Sequence, residues 1–237
     1  KAGRWRGLLG LAAFLGAYLV LASAAILLWI TVPLVALILF LAYSAWHFAG
    51  DWRDSLPLVS RLAAGFLIVS GPSFLHSEEV TSYFSILSAS EEGSARLVGT
   101  LSILSLPAAG VVVFAALSKA RRKLVLAAEL CVLVLAALLL PPLVFFVLYF
   151  CSLHSPRHLI EAVAGMKKST AIPVGVIETM ITVAAGVAIV SFLPEGPLDE
   201  RIIQIIFIGL AVLTVPHMIL IEHAAMRRGE PRQAAPL

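Results

Sequence analysis

The sequence predicts an all-α protein: a polytopic bundle of about eight transmembrane helices forming a single integral membrane domain over residues 1–237. Three observations predict it. Of the 237 residues, 60% are hydrophobic and 13% are charged, about half the charge of an ordinary soluble domain. The mean hydropathy is +1.00, and several apolar runs approach the ~20 residues that cross a bilayer. The charged residues gather between these runs rather than along one face of them.

The runs cover approximately 7–30, 32–50, 56–74, 97–117, 124–140, 141–164, 171–193 and 201–224. Inside hydrocarbon every backbone N–H and C=O must be bonded within the segment, so runs this long are helices. Pro33, Pro57, Pro72, the Pro141-Pro142 pair and the turn Pro194-Glu195-Gly196-Pro197 punctuate them. The break at Leu140–Pro141 reads equally as a kink in one long helix. Basic clusters fall at Lys1/Arg4/Arg6, Arg53, 119–123 (Lys-Ala-Arg-Arg-Lys), Lys167/Lys168 and Arg227/Arg228. Acidic connections fall at Glu78/Glu79, Glu91/Glu92 and Glu195/Asp199/Glu200. An eight-span count puts all the basic clusters on one side and the acidic loops on the other. The positive-inside rule then predicts a multi-pass protein of the cell membrane with both termini cytoplasmic. The least apolar stretch, 75–96, faces outside and has room for a short re-entrant or interfacial helix.

These features also exclude. The net charge of +3 sits at span ends, so no basic face for nucleic acid exists. Cys131 and Cys151 lie inside apolar runs, which suits neither a disulfide framework nor a cysteine zinc site. No Gly-rich phosphate loop supports a nucleotide-driven transporter. No internal repeat favours an inverted-repeat transporter.

Ionisable residues inside a bilayer are costly, so each is a functional hypothesis. His154 and His158 stand four apart and share one helical face. Two neutral imidazoles so placed make a two-point grip on zinc, copper or iron. The alternative for such a pair is a polar face lining a water-filled cavity, or hydrogen bonds to neighbouring helices. Depth favours the metal. His47, His154, His158 and His217 all fall in the cytoplasmic half of the bilayer, within roughly ten residues of a cytoplasmic span end. His76 lies on the opposite side, and His223, beside Glu222, reads as a solvated helix end. Pro156, between the paired histidines, removes a helix hydrogen bond to Ser152 and can bend the helix there. Arg157 needs an acidic partner, with Glu161 one turn on and Glu222 as the candidates. Trp46 and Phe48 flank His47 either as an interfacial belt or as the lining of an apolar pocket.

Three stretches considered together resemble one family. Ser44-Ala45-Trp46-His47-Phe48-Ala49-Gly50-Asp51, then Phe150-Cys151-Ser152-Leu153-His154-Ser155-Pro156-Arg157-His158, then Pro216-His217-Met218 are similar to the Brp/Blh family. Its members are integral membrane proteins associated with bacterial and archaeal rhodopsins. They are described as β-carotene 15,15′-dioxygenases, which cut the central double bond with O₂ to give two retinals. The resemblance runs over about 43–223 and is most specific at the paired histidines. It implies Fe(II) as cofactor, β-carotene or a related carotenoid and O₂ as substrates, the lipid bilayer as surroundings, and retinal passed to a microbial rhodopsin.

The resemblance also implies four histidine ligands. His47, His154 and His158 match three of them, and no catalytic residue beyond the ligands is implied. The fourth belongs to a Pro-His-Gly-x-x-Asp motif one helix upstream, which is absent here. With Lys1 in place of an initiator methionine, the chain reads as truncated at its N-terminus, and His217 is either a substitute ligand or a partner to one. Ala49 stands where Gly is expected after His-Phe. A histidine-only Fe(II) site leaves positions open for O₂. Cleavage of an alkene requires no paired acids, and a bilayer-dissolved substrate suits an enzyme made of membrane helices.

Three rivals remain from the residues alone. A membrane di-iron desaturase needs about eight histidines in several boxes, and six are present. A haem protein wants axial histidines from facing helices. A proton or metal transporter wants acids along a path, and the spans carry few beyond Glu129, Glu161, Glu178 and Glu222.

Overall fold

The computed structural model describes residues 2–163, 180, 197, 200–213 and 216, with side chains described from residue 13 on and not at 161–163. Among the described residues the secondary structure is entirely helical. Helix α1, Ala2–Thr31, runs to Val32, and Pro33 then opens α2, Pro33–Phe48. Proline suits that first position, because its fixed φ is helical and its missing N–H has no partner there. A 3₁₀ turn, Ala49–Trp52, ends α2, and extended Pro57 starts α3, Leu58–Ser70. Gly71-Pro72-Ser73 forms a second 3₁₀ turn, after which the chain bends by 100° into α4, Ser77–Ser88. This is the short helix expected within 75–96.

Left-handed Ala89 closes α4, with φ 52°. Ser90 then caps α5, Glu91–Lys119, by accepting a bond from the Gly93 N–H at 3.2 Å. At 29 residues, α5 is about 43 Å long and forms the spine of the bundle, meeting α3, α4 and α6. Helix α6, Leu124–Leu139, ends at extended Leu140 and Pro141, so the predicted break there is a true interruption. Next come α7, Pro142–Tyr149, one π turn, Phe150–His154, and α8, Ser155–Val163.

Four helical stretches among the described residues are long and apolar enough to cross a membrane: Ala13–Thr31, Pro33–Trp52, Glu91–Lys119 and Pro142–Ile160. The bent pair Leu58–Ser73 and Ser77–Ser88 makes a fifth if counted as one broken span. The expected span at 124–140 is a helix of 16 residues, just short of the ~17 a crossing needs. The expected span 171–193 lies outside the described residues, as does most of 201–224. About eight spans are therefore not reached among the residues described.

Large apolar side chains face outward, Ile30 at 75% exposure and Val125 at 82%, as lipid-facing positions should. Inside, alanines and glycine bring backbones close. A Cβ on Gly65 would stand 2.1 Å from the Ala45 carbonyl oxygen and 2.6 Å from the Ala49 nitrogen, so only glycine permits this crossing of α3 over α2. One core gathers Phe48, Trp52, Ala64, Leu67, Val112, Leu130, Ala137, Phe145 and Tyr149. A second, around Trp29, Leu37, Phe84, Val98 and Leu101, also takes Ile203 and Ala211 from the helical residues 200–213. The candidate site lies against the first.

Candidate metal centre

The end of α2 supplies His47, and the 3₁₀ turn that follows supplies Asp51 and Trp52. Helix α6 brings Glu129, α7 brings Tyr149, the π turn brings His154, and α8 brings Arg157 and His158. One ligating nitrogen from each of His47, His154 and His158 lies within 4.8 Å of the others. His47 Nε2 and His154 Nε2 stand 3.2 Å apart. Two nitrogens about 2.1 Å from one ion stand roughly 3.0 Å apart at a right angle and about 3.4 Å at the tetrahedral angle. The observed spacing falls between these, so the pair fits a shared metal ion. His154 is buried, whereas His158 is half exposed.

The π turn explains how the sequence builds this cluster. Tyr149 and His154 are five residues apart, about 140° around a regular α-helix. The Ser155 N–H instead bonds Phe150 O, five residues back, which widens the turn and swings both side chains toward one carboxylate. Pro156, which cannot donate to Ser152, follows immediately, and Ser152 Oγ donates back to the Leu148 carbonyl. The disturbance expected at Pro156 therefore takes the form of an extra residue in the turn before it.

That carboxylate is Asp51, with a side chain 1% exposed. His154 Nδ1 stands 3.1 Å from both of its oxygens, and Tyr149 donates its hydroxyl proton to Oδ2 at 2.6 Å. His158 Nε2 is 3.6 Å from Oδ1. A carboxylate has no proton to give, so the Nδ1 of His154 carries one, and its Nε2 lone pair is left facing His47. Phe48 and Phe150 pack against the His154 ring, with centroids at 5.1 and 5.3 Å. These aromatics cover the His154 ring, and Phe48 belongs to the core rather than to an interfacial belt.

A second polar tier lies beside the first. Arg157 donates to the Asp51 backbone oxygen at 3.1 Å and to Glu129 Oε2 at 2.7 Å. Trp52 donates its indole N–H to Glu129 Oε1 at 2.6 Å, and the guanidinium sits 5.7 Å from the Trp52 ring centroid. Among the described residues the acidic partner of Arg157 is Glu129 on another helix, one the sequence reading had not put forward; the side chains of Glu161 and Glu222, which it had, lie outside the described residues. His76 takes no part in the cluster, and its Nε2 is 3.3 Å from the Leu139 carbonyl oxygen. His217 and His223 lie outside the described residues.

The family model described as Beta-carotene 15,15′-dioxygenase matches residues 3–224. The chain belongs to this beta-carotene 15,15′-dioxygenase family. A curated relative of that name from uncultured marine bacterium 66A03 is 32% identical over 223 residues, covering 90% of this chain and 80% of the relative. No solved structure matches the chain. In this member of the dioxygenase family, three side chains at the centre had escaped a role in the sequence reading. Asp51 sits four residues after His47, a helical spacing that could have singled it out. Glu129 was visible as an acid inside an apolar run. Tyr149 left no signal, because its approach to Asp51 depends on the π turn.

Proposed function

We propose that this protein carries out iron-dependent cleavage of the central double bond of β-carotene with O₂, giving two molecules of all-trans-retinal. One observation carries the reading: in a member of the dioxygenase family, the nitrogens of His47 and His154 face each other at a spacing suited to one metal ion, with His158 beside them. Fe(II) bound there would supply activation of O₂ next to a polyene that has no group to ionise. His47, His154 and His158 would hold it, leaving further positions open. The aromatic shell of Phe48 and Phe150 would keep the polyene dry and close, while the outward apolar helix faces meet the bilayer in which both carotenoid and retinal dissolve.

The haem alternative is disfavoured by distance. Nitrogens on opposite faces of one haem iron stand about 4 Å apart, twice a metal–nitrogen bond, against 3.2 Å here. We propose further that the protein is a single membrane domain of the cell membrane with cytoplasmic termini, and that a microbial rhodopsin receives its retinal.

The test is expression in bacteria that accumulate β-carotene, with His154→Ala and His158→Ala alongside, and chromatography for retinal. Retinal from the parent and none from either variant is the expected result. Intact β-carotene in cells holding well-expressed, iron-loaded parent protein overturns the cleavage reading.

A further inference from the structure

The Asp51 carboxylate lies almost wholly buried in a chain with few charges, yet it is not one of the expected ligands. It meets the nitrogen of His154 that points away from His47. We infer that Asp51 is the positioning residue of the metal centre: it holds His154 in the tautomer and orientation that direct Nε2 at the ion, and Tyr149 and the Glu129–Arg157–Trp52 tier hold Asp51. The inference rests on the proposed metal site.

The geometry supports each part. With Nδ1 donating to a carboxylate, an imidazole has one tautomer available, and Nε2 becomes the better ligand because the carboxylate raises its basicity. Asp51 Oδ2 also accepts from Tyr149, which removes rotational freedom from the carboxylate. Its main chain is held separately, since Arg157 binds the Asp51 backbone oxygen while Glu129 spans Arg157 and the neighbouring Trp52. The 3₁₀ turn carrying Asp51 is thereby tied to the helix carrying His158. Oδ1 also lies within ion-pair range of His158 Nε2, so one carboxylate serves two of the three histidines.

Asp51→Asn keeps the shape and removes the charge. The amide nitrogen can donate to Nδ1, forcing the proton onto Nε2 and blocking the nitrogen that faces His47. Tyr149→Phe leaves the carboxylate in place and removes one of its hydrogen-bond donors.

The test uses the purified detergent-solubilised chain and Co(II) as a spectroscopic probe, without carotenoid. The parent is expected to bind one Co(II) with a resolved visible spectrum. Asp51→Asn should bind it about 10–100-fold more weakly, with shifted bands. Tyr149→Phe should show a smaller loss with the same direction of shift. Both variants binding with parental affinity and spectrum would overturn the inference while leaving the metal site standing. A parent that binds no Co(II) and no Fe(II) would overturn the metal site itself, and the inference with it. If Asp51→Asn fails to fold, judged by circular dichroism, Tyr149→Phe decides: an unchanged Co(II) spectrum and affinity overturns the inference.

Discussion

Gly65 offers a sharp test of how the bundle holds the centre. In Gly65→Ala the new methyl group would lie 2.1 Å from Ala45 O, 2.6 Å from Ala49 N and 3.1 Å from Ala49 Cα. All three are backbone atoms, so no side chain can rotate away. Ordinary contact is near 3.5 Å, so α2 and α3 must separate by roughly an ångström. Overpacking of this kind costs about 1–3 kcal/mol, and a clash with two backbone groups belongs at the upper end. The same change at Gly110 on α5, where a Cβ meets nothing within 4 Å, should stabilise by about 0.5–1 kcal/mol through helix propensity. Thermal unfolding of the two variants in detergent should therefore move in opposite directions. His47 and the turn bearing Asp51 ride on α2, and a displacement of about an ångström can cost on the order of 100-fold in rate; retinal formation by Gly65→Ala should fall accordingly. A Gly65→Ala protein as stable and active as the parent would refute the close crossing.

Three further outcomes follow from the same geometry. Glu129→Gln should destabilise by about 1–3 kcal/mol, because Arg157 loses a charge-assisted bond in a region of low dielectric; thermal unfolding of Glu129→Gln, Arg157→Gln and the double variant would measure the coupling, and additive effects would contradict it. Incubation with a strong chelator should abolish retinal formation, and Fe(II) should restore it, as followed by chromatography. Ser90→Ala removes the cap of α5 and should cost about 1 kcal/mol in unfolding experiments, with little effect on metal content.

How far the sequence could be read depended on whether a feature is local. Pro33 and Pro57 mark helix starts because proline fixes φ whatever its surroundings. The low apolarity of 75–96 left room for a short helix, and α4 occupies it. The His154/His158 pair was legible from the four-residue spacing, whereas His47 stood out through depth and family likeness. The span count failed to carry over where apolar length is ambiguous: 16 residues in α6 and a chain bent by 100° after α3 both lie near the threshold for crossing. The partners of the histidines were not legible, because they join residues as far apart as Asp51 and His154, or Glu129 and Arg157. Only the packed helices bring these together, and the amino-acid order between them carries no trace of it.

The π turn gives the centre an unusual dependence on thread. If Phe150–His154 wound at normal pitch with all its residues kept, everything after it would turn by roughly 100° relative to α7. Arg157 and His158 would then leave Glu129 and Asp51, although none of those four side chains had been altered. The centre is thus specified by helical pitch as much as by chemistry: one widened turn, taking up a supernumerary residue, sets where its polar groups come to rest.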